Sequence, residues 1–214
     1  MSRGLKIAIA VVGMVTVAMI VSVVALFLAW RPSEPQAFSH EMRLANQGSL
    51  IISGDARGRS EHGFSQSAGY RPPGSTEIEW FGDVSDGVEP QVYFAGPLIV
   101  VIDLPGACLF VRSPQGHEKW KSLALLFPDD LGPFPISYYA ERNGLTQEEV
   151  SRINELGGKR ERKYPTTYIQ SFDPATRDLE CTYHVDNKSS WPLHLRLSED
   201  GTHLALIGVG PASP

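Results

Sequence analysis

The sequence predicts a single N-terminal transmembrane helix followed by a β-rich α+β domain, built mainly of antiparallel strands with one short helix. Three observations lead there. The stretch Ile7–Trp30 carries no charge, and only Thr16 and Ser22 within it are clearly polar. Beyond it, short β-prone runs are separated by Gly, Pro and Asp, the punctuation of antiparallel strands. A capped amphipathic periodicity follows Thr146.

At about 1.5 Å per residue the first stretch makes a helix roughly 36 Å long, enough to cross a hydrocarbon core of about 30 Å with some tilt. A helix suits that place because its backbone groups bond one another where water is absent. Arg31 and Pro32 close it, and Trp30 falls at the water boundary, where an amphipathic ring is favoured. A cleaved signal peptide would have an apolar region of about 7–15 residues and a small-x-small cleavage site. This run is longer, and Ala29 near its end has Phe27 two places before it. The expected layout is therefore a cytoplasmic tail (1–6), a signal anchor (7–30), a Pro-rich linker (31–37) and an extracytoplasmic domain (38–214). Arg3, Lys6 and the amino terminus precede the helix, against Arg31 and Arg43 after it, a small bias for the N-terminus inside. Ala18, Ser22, Ala25 and Ala29 share one face, a spacing suited to helix–helix contact.

Charge narrows the partners. The whole chain carries −5; with Arg3 and Lys6 on the near side of the helix, the remainder carries −7. A nucleic-acid binder would need a basic stripe. Membrane lipid, through the N-terminal helix, and an unidentified protein are the expected partners, with no nucleic acid. No cofactor is implied. Roughly 180 residues beyond the anchor suffice for one domain with its own core.

Along the domain, Glu41–Leu44 and Leu50–Ser53 flank Asn46-Gln47-Gly48 as a first hairpin. Gly54–Ser75 is rich in Gly, Ser and Arg and reads as a long mobile loop (54–75); Arg57, Arg59 and Arg71 within it could hold an anion. Strands follow at Thr76–Phe81, Gln91–Ala95, Leu98–Asp103, Ala107–Arg112 and Lys119–Phe127. The continuous apolar run of the third suits a strand buried on both faces. Thr146-Gln147-Glu148-Glu149 is a capping box, with Val150, Ile153 and Leu156 as the apolar stripe and Gly157-Gly158 as the stop. Loss of Thr146 is expected to cost the helix more than loss of Glu149. The basic run Lys159–Lys163 balances the helix dipole.

Four strands end the chain: Thr166–Phe172, Asp178–Val185, Pro192–Leu197 and Thr202–Ile207. The turns Asp173-Pro174-Ala175-Thr176 and Ser198-Glu199-Asp200-Gly201 look like the hairpin turns of β-propeller repeats, and the second, between Leu-Arg-Leu-Ser and His-Leu-Ala-Leu-Ile, is similar to the outer hairpin of one such blade. That resemblance is confined to these strands and has no second copy. It supports a four-stranded antiparallel unit and not a propeller.

Two groups are candidate sites. Cys108 and Cys181 lie in predicted strands and face inward by alternation; an oxidising compartment would let them pair as a disulfide, worth about 4 kcal/mol on the chain-entropy estimate. In the alternative they are buried thiols that never meet. A turn over Ser198–Gly201 pairs Leu197 with Thr202 and Leu195 with Leu204, and puts His184, His194 and His203 on one face. Three imidazoles could bind zinc or copper, but Arg196 and Glu180 among them make an ordinary wet sheet face. No G-x-S-x-G, H-E-x-x-H, S-x-x-K, P-loop, G-x-G-x-x-G or C-x-x-C occurs. A carboxylate pair has no fixed spacing and stays open. Asn187-Lys188-Ser189 is a glycosylation sequon.

An anchor joined to a domain without a catalytic motif reads as a single-pass membrane-anchored protein with a non-catalytic binding, assembly or scaffolding domain at the cell envelope. A membrane-anchored hydrolase and an accessory subunit of a larger membrane complex are the alternatives.

Overall fold

The computed structural model describes residues 36–56, 66–85, 88–114, 119–127, 134–156, 166–184 and 190–210, together with Met19, Val21 and Ser22. The predicted anchor otherwise lies outside the described residues, as do the linker up to Pro35, the basic run and the sequon; Met19, Val21 and Ser22 are helical. Among the described residues no helix is long and apolar enough to cross a membrane.

The described residues form a β-rich arrangement with three antiparallel sheets and two short helices. Sheet I holds β1 (Gln36–Arg43), β2 (Ser49–Ala56), β3 (Gln66–Arg71) and β4 (Glu79–Val84). Sheet II holds β5 (Gln91–Ala95), β6 (Leu98–Asp103), β7 (Cys108–Arg112) and β8 (Trp120–Ala124). The helices α1 (Ile136–Asn143) and α2 (Gln147–Leu156) follow. Sheet III holds β9 (Thr166–Asp173), β10 (Asp178–His184), β11 (Ser190–Leu197) and β12 (Leu204–Val209). Each sheet is a meander in chain order. The four-stranded unit expected at the C-terminal end thus occurs three times.

Sheet II is the middle layer. One face, with Leu98, Val100, Ile102, Leu109 and Leu123, packs into a first core shared with sheet III and the helices. The other face, with Val101 and Phe110, packs into a second core shared with Leu50, Ile52, Ala68 and Val84 of sheet I. Every residue of β6 is buried, as its unbroken apolar run predicts.

The loop expected over 54–75 is corrected in part. β2 runs on to Ala56, and β3 occupies Gln66–Arg71 in its middle. Ser67-Ala68-Gly69 has little β propensity, but β2 and β4 pair with it on both sides. At Gly69 a Cβ would lie 2.6 Å from Ile78 and 2.9 Å from Trp80. Those two side chains lie across the bare glycine, so a residue unfavourable for strands is what this crossing requires.

The helix α1 is a second correction, because a single helix was expected. It starts behind Pro135 with no side-chain cap and contains Ser-Tyr-Tyr, indifferent helix formers. Packing holds it: Tyr139 and Ala140 enter the first core. Buried Asn143 accepts from Leu126 N–H at 2.8 Å and donates to Leu126 C=O at 2.7 Å, extending the β8 edge by one side chain. Gly144 then takes the left-handed conformation (φ 69°), and its carbonyl accepts from Leu204 N–H at 2.8 Å. The turn between the helices is thereby docked on β12.

A third correction concerns register. Leu197 pairs with Leu204 and Leu195 with Leu206, two residues later than expected. Ser198 Oγ accepts from Thr202 N–H and His203 N–H, each at 3.1 Å, and Ser198 N–H donates to His203 C=O. Side-chain bonds hold those two residues in the loop. A shift of two preserves the faces, so Leu195 and Leu204 are still buried.

The capping box forms as predicted. Glu149 N–H donates to Thr146 Oγ1 at 3.2 Å, and Thr146 N–H donates to Glu149 Oε2 at 2.8 Å. Glu149 Oε1 also accepts from Leu206 N–H at 2.8 Å, so the same carboxylate ties the helix to β12. Burial raises its pKa, but the bonds from Thr146 and Leu206 outweigh that and the net shift is downward. This reverses the ranking expected from sequence. Thr146→Ala should cost about 1 kcal/mol in urea unfolding, and Glu149→Ala should cost more, because it also orphans Leu206 N–H. A smaller loss for Glu149→Ala would show that the β12 tie contributes nothing.

Candidate functional site

A polar cluster between layers lies where β4 meets the edge of sheet II. Alternation along β4 sends Glu79 and Phe81 toward sheet II and Trp80 to the opposite side. Glu79 Oε2 accepts from Arg112 Nε at 2.7 Å and from Trp120 Nε1 at 3.2 Å. Its Oε1 accepts from Arg112 Nη2 at 3.2 Å and lies 3.2 Å from Lys119 Nζ. Only 11% of the Glu79 side chain is exposed. The paired, planar guanidinium is the geometry that binds a carboxylate most firmly.

Aromatic rings complete the arrangement. Trp120 stacks on Phe81 at 4.2 Å between centroids, and Phe81 meets Phe110 at 5.0 Å. Arg112 lies 5.4 Å from the centre of the Tyr70 ring, a cation–π contact. The Tyr70 hydroxyl accepts from Asn46 Nδ2 at 2.8 Å, which ties the first hairpin turn to the cluster. Beside these groups opens a groove of ≈ 540 Å³, lined by Glu77 through Phe81 and by Lys119 and Trp120. Trp80 is 51% exposed there.

The charge state follows from the contacts. Arg112 foremost, with Lys119 and Trp120, pulls the Glu79 carboxyl down to about 2 against the opposing effect of burial. A carboxylate ionised this firmly, with both oxygens occupied, is a poor proton donor or acceptor at neutral pH. The cluster is suited to fixing a surface and not to moving protons.

The residues singled out from sequence lie elsewhere. Cys108 and Cys181 are free thiols, so the expected bridge is not made. Alternation places each correctly, but toward different cores: Cys108 packs with Phe110 in the second, Cys181 with Leu179 and Tyr183 in the first. Cys108 Sγ lies 3.3 Å from Ser122 Oγ. Burial pushes both thiols up, away from the reactive thiolate. The histidines also separate. His184 meets the Tyr168 ring edge-on at 5.2 Å, His194 Nε2 lies 2.8 Å from Gly210 C=O, and His203 sits in the β11–β12 loop against Thr202. Among the described residues no group of three His, Cys, Asp or Glu could hold a metal ion. Arg71 belongs to β3 and pairs with Glu41 at 2.9 Å; Arg57 and Arg59 lie outside the described residues.

No protein-family model, no curated protein and no solved structure matches the chain.

Two outcomes follow. Because the folded pKa of Glu79 is depressed, its contribution is complete above the unfolded value of 4.5 and is lost as pH falls toward about 2. Glu79→Gln should be less stable than the parent at pH 7, by on the order of 2 kcal/mol after allowance for solvent screening. Denaturant melts across pH 7 to 2 should show that gap closing; a constant gap would show that the ionised form is not what holds the site. Separately, titration of the unfolded, unreduced protein should return both cysteines as free thiols, with Cys181 inert in the folded state.

Proposed function

We propose that this chain is a single-pass membrane protein, held by Ile7–Trp30, whose β-rich domain stands outside the cytoplasm and serves binding or assembly at the cell envelope. The observation that carries the anchorage is the uncharged stretch itself, long enough to span and closed by Trp30, Arg31 and Pro32. The domain's role is supported by the character of its site. Glu79 is saturated by Arg112, Lys119 and Trp120, while Trp80 is offered to solvent beside an open groove. A rigid polar clasp under an exposed aromatic surface is the anatomy of a recognition site.

The full chain should sediment with membranes and stay there through an alkaline carbonate wash, and its mass should include Ile7–Trp30. Protease added outside intact cells should degrade the domain. A mature chain beginning after Trp30 would overturn the anchor, and a domain protected until the cells are opened would overturn its placement.

A further inference from the structure

We propose that the end of the domain at which β1 begins rests on the lipid bilayer, its exposed apolar side chains seated among the headgroups of zwitterionic phospholipid. This rests on the reading of Ile7–Trp30 as the anchor. Residues 31–35 alone separate Trp30 from Gln36, a reach of roughly 20 Å at most. The end that carries Gln36 is thereby held close to the membrane boundary.

One end is common to all three sheets. In sheet I, Gln36 pairs with Ala56, and Gln66 pairs with Val84. Ser85, just past Val84, donates to Asp103 at the end of β6. Asp103 pairs with Cys108, which pairs with Ala124. Beyond Ala124, Phe127 meets Tyr183 at 5.1 Å, and Tyr183 pairs with Thr167 and Trp191 in sheet III. The opposite ends coincide too. Glu79 meets Arg112, and a Cβ on Gly201, in the β11–β12 turn, would lie 2.6 Å from Val111.

The two ends differ in chemistry. Among the described residues, the arginine ion pairs, through Arg71, Arg112, Arg177 and Arg196, gather at the far end. No Lys or Arg stands in the two rows of each sheet nearest the Gln36 end. Five apolar side chains there are 36% to 52% exposed: Phe38 in β1, Val88 before β5, Leu126 after β8, Tyr168 in β9 and Trp191 in β11. Trp80 and Phe94 are exposed toward the far end, Ile207 along β12 and Phe134 before α1. Single exposed apolar residues are ordinary, but their gathering at the charge-poor end, beside the anchor, is not random scatter. Tyr and Trp, with an apolar body and a polar tip, suit the membrane–water boundary. The charged side chains Asp83 and Glu89 at this end are acidic, so attraction to anionic lipid does not supply the contact. The groove beside Glu79, at the far end, is left turned away from the bilayer.

The test uses the full chain in phosphatidylcholine vesicles and photocrosslinking read by mass. Tyr168→benzoylphenylalanine and Leu126→benzoylphenylalanine should each give lipid adducts. Glu199→benzoylphenylalanine and Trp80→benzoylphenylalanine, toward the far end, should give none. All four positions are exposed, and a urea midpoint equal to the parent's verifies the fold of each variant. The adduct yield should be unchanged at about 1 M salt, where the screening length is about 3 Å. Equal yields at both ends would overturn the proposal, as would a yield that needs phosphatidylglycerol and falls with salt. Crosslinked chain dimers in place of lipid adducts would also overturn it, making this end a contact between copies. A carbonate-resistant chain without adducts at Tyr168 and Leu126 would defeat this contact and leave the anchor standing. Adducts from a chain that carbonate strips from the vesicles would defeat the anchor and leave this contact standing.

Discussion

Burial of the middle sheet on both faces is the constraint on which the rest depends. A sheet whose central strand is apolar at consecutive positions cannot show either face to water. Sheet III and the helices cover one face, and sheet I covers the other. Sheet I brings the smaller core, and polar contacts reinforce its attachment. Arg112 at the end of β7 grips Glu79 at the start of β4. Asp103 at the end of β6 accepts from Ser85 N–H at 3.1 Å and Ser85 Oγ at 2.8 Å, just past the end of β4. Between them Phe81 lies on Phe110 and Trp120. An edge strand held at both ends and stacked in the middle makes a firm wall for the groove.

The saturation of Glu79 has a chemical meaning beyond stability. Removing a carboxylate from water is costly unless its partners repay the loss, and here two cations and an indole do so. The carboxylate in turn ties Trp120 and Lys119 to β4. The groove's shape is thus set by groups already engaged with one another.

Local signals in the sequence were read accurately where the local chemistry was strong. The runs Gln91–Ala95 and Leu98–Asp103 are β5 and β6 to the residue, and the capping box at Thr146 opens α2. What failed depends on tertiary partners. β3 is a strand because β2, β4, Ile78 and Trp80 surround it, and α1 is a helix because Tyr139, Ala140 and Asn143 have places to go. Alternation gives the inward faces of the cysteines, but it cannot say which core each enters, and the middle sheet divides two. The site itself was not legible. Arg112 and Trp120 stand 33 and 41 residues from Glu79, on a different sheet, and no short motif can record such a meeting. The blade-like hairpin signal marked one meander out of three, because the others are closed by different turns.

Gly69 carries a consequence for how such a chain can vary. The glycine does not line the groove, yet Ile78 and Trp80, which do, rest on the space where its side chain would be. Any larger residue there must displace the indole that forms the exposed side of the groove, or be accompanied by a smaller residue at 78 or 80. Substitutions at these three positions are therefore expected to be coupled in descent. A lineage that gave up the glycine would have to repack this face of sheet I in the same step.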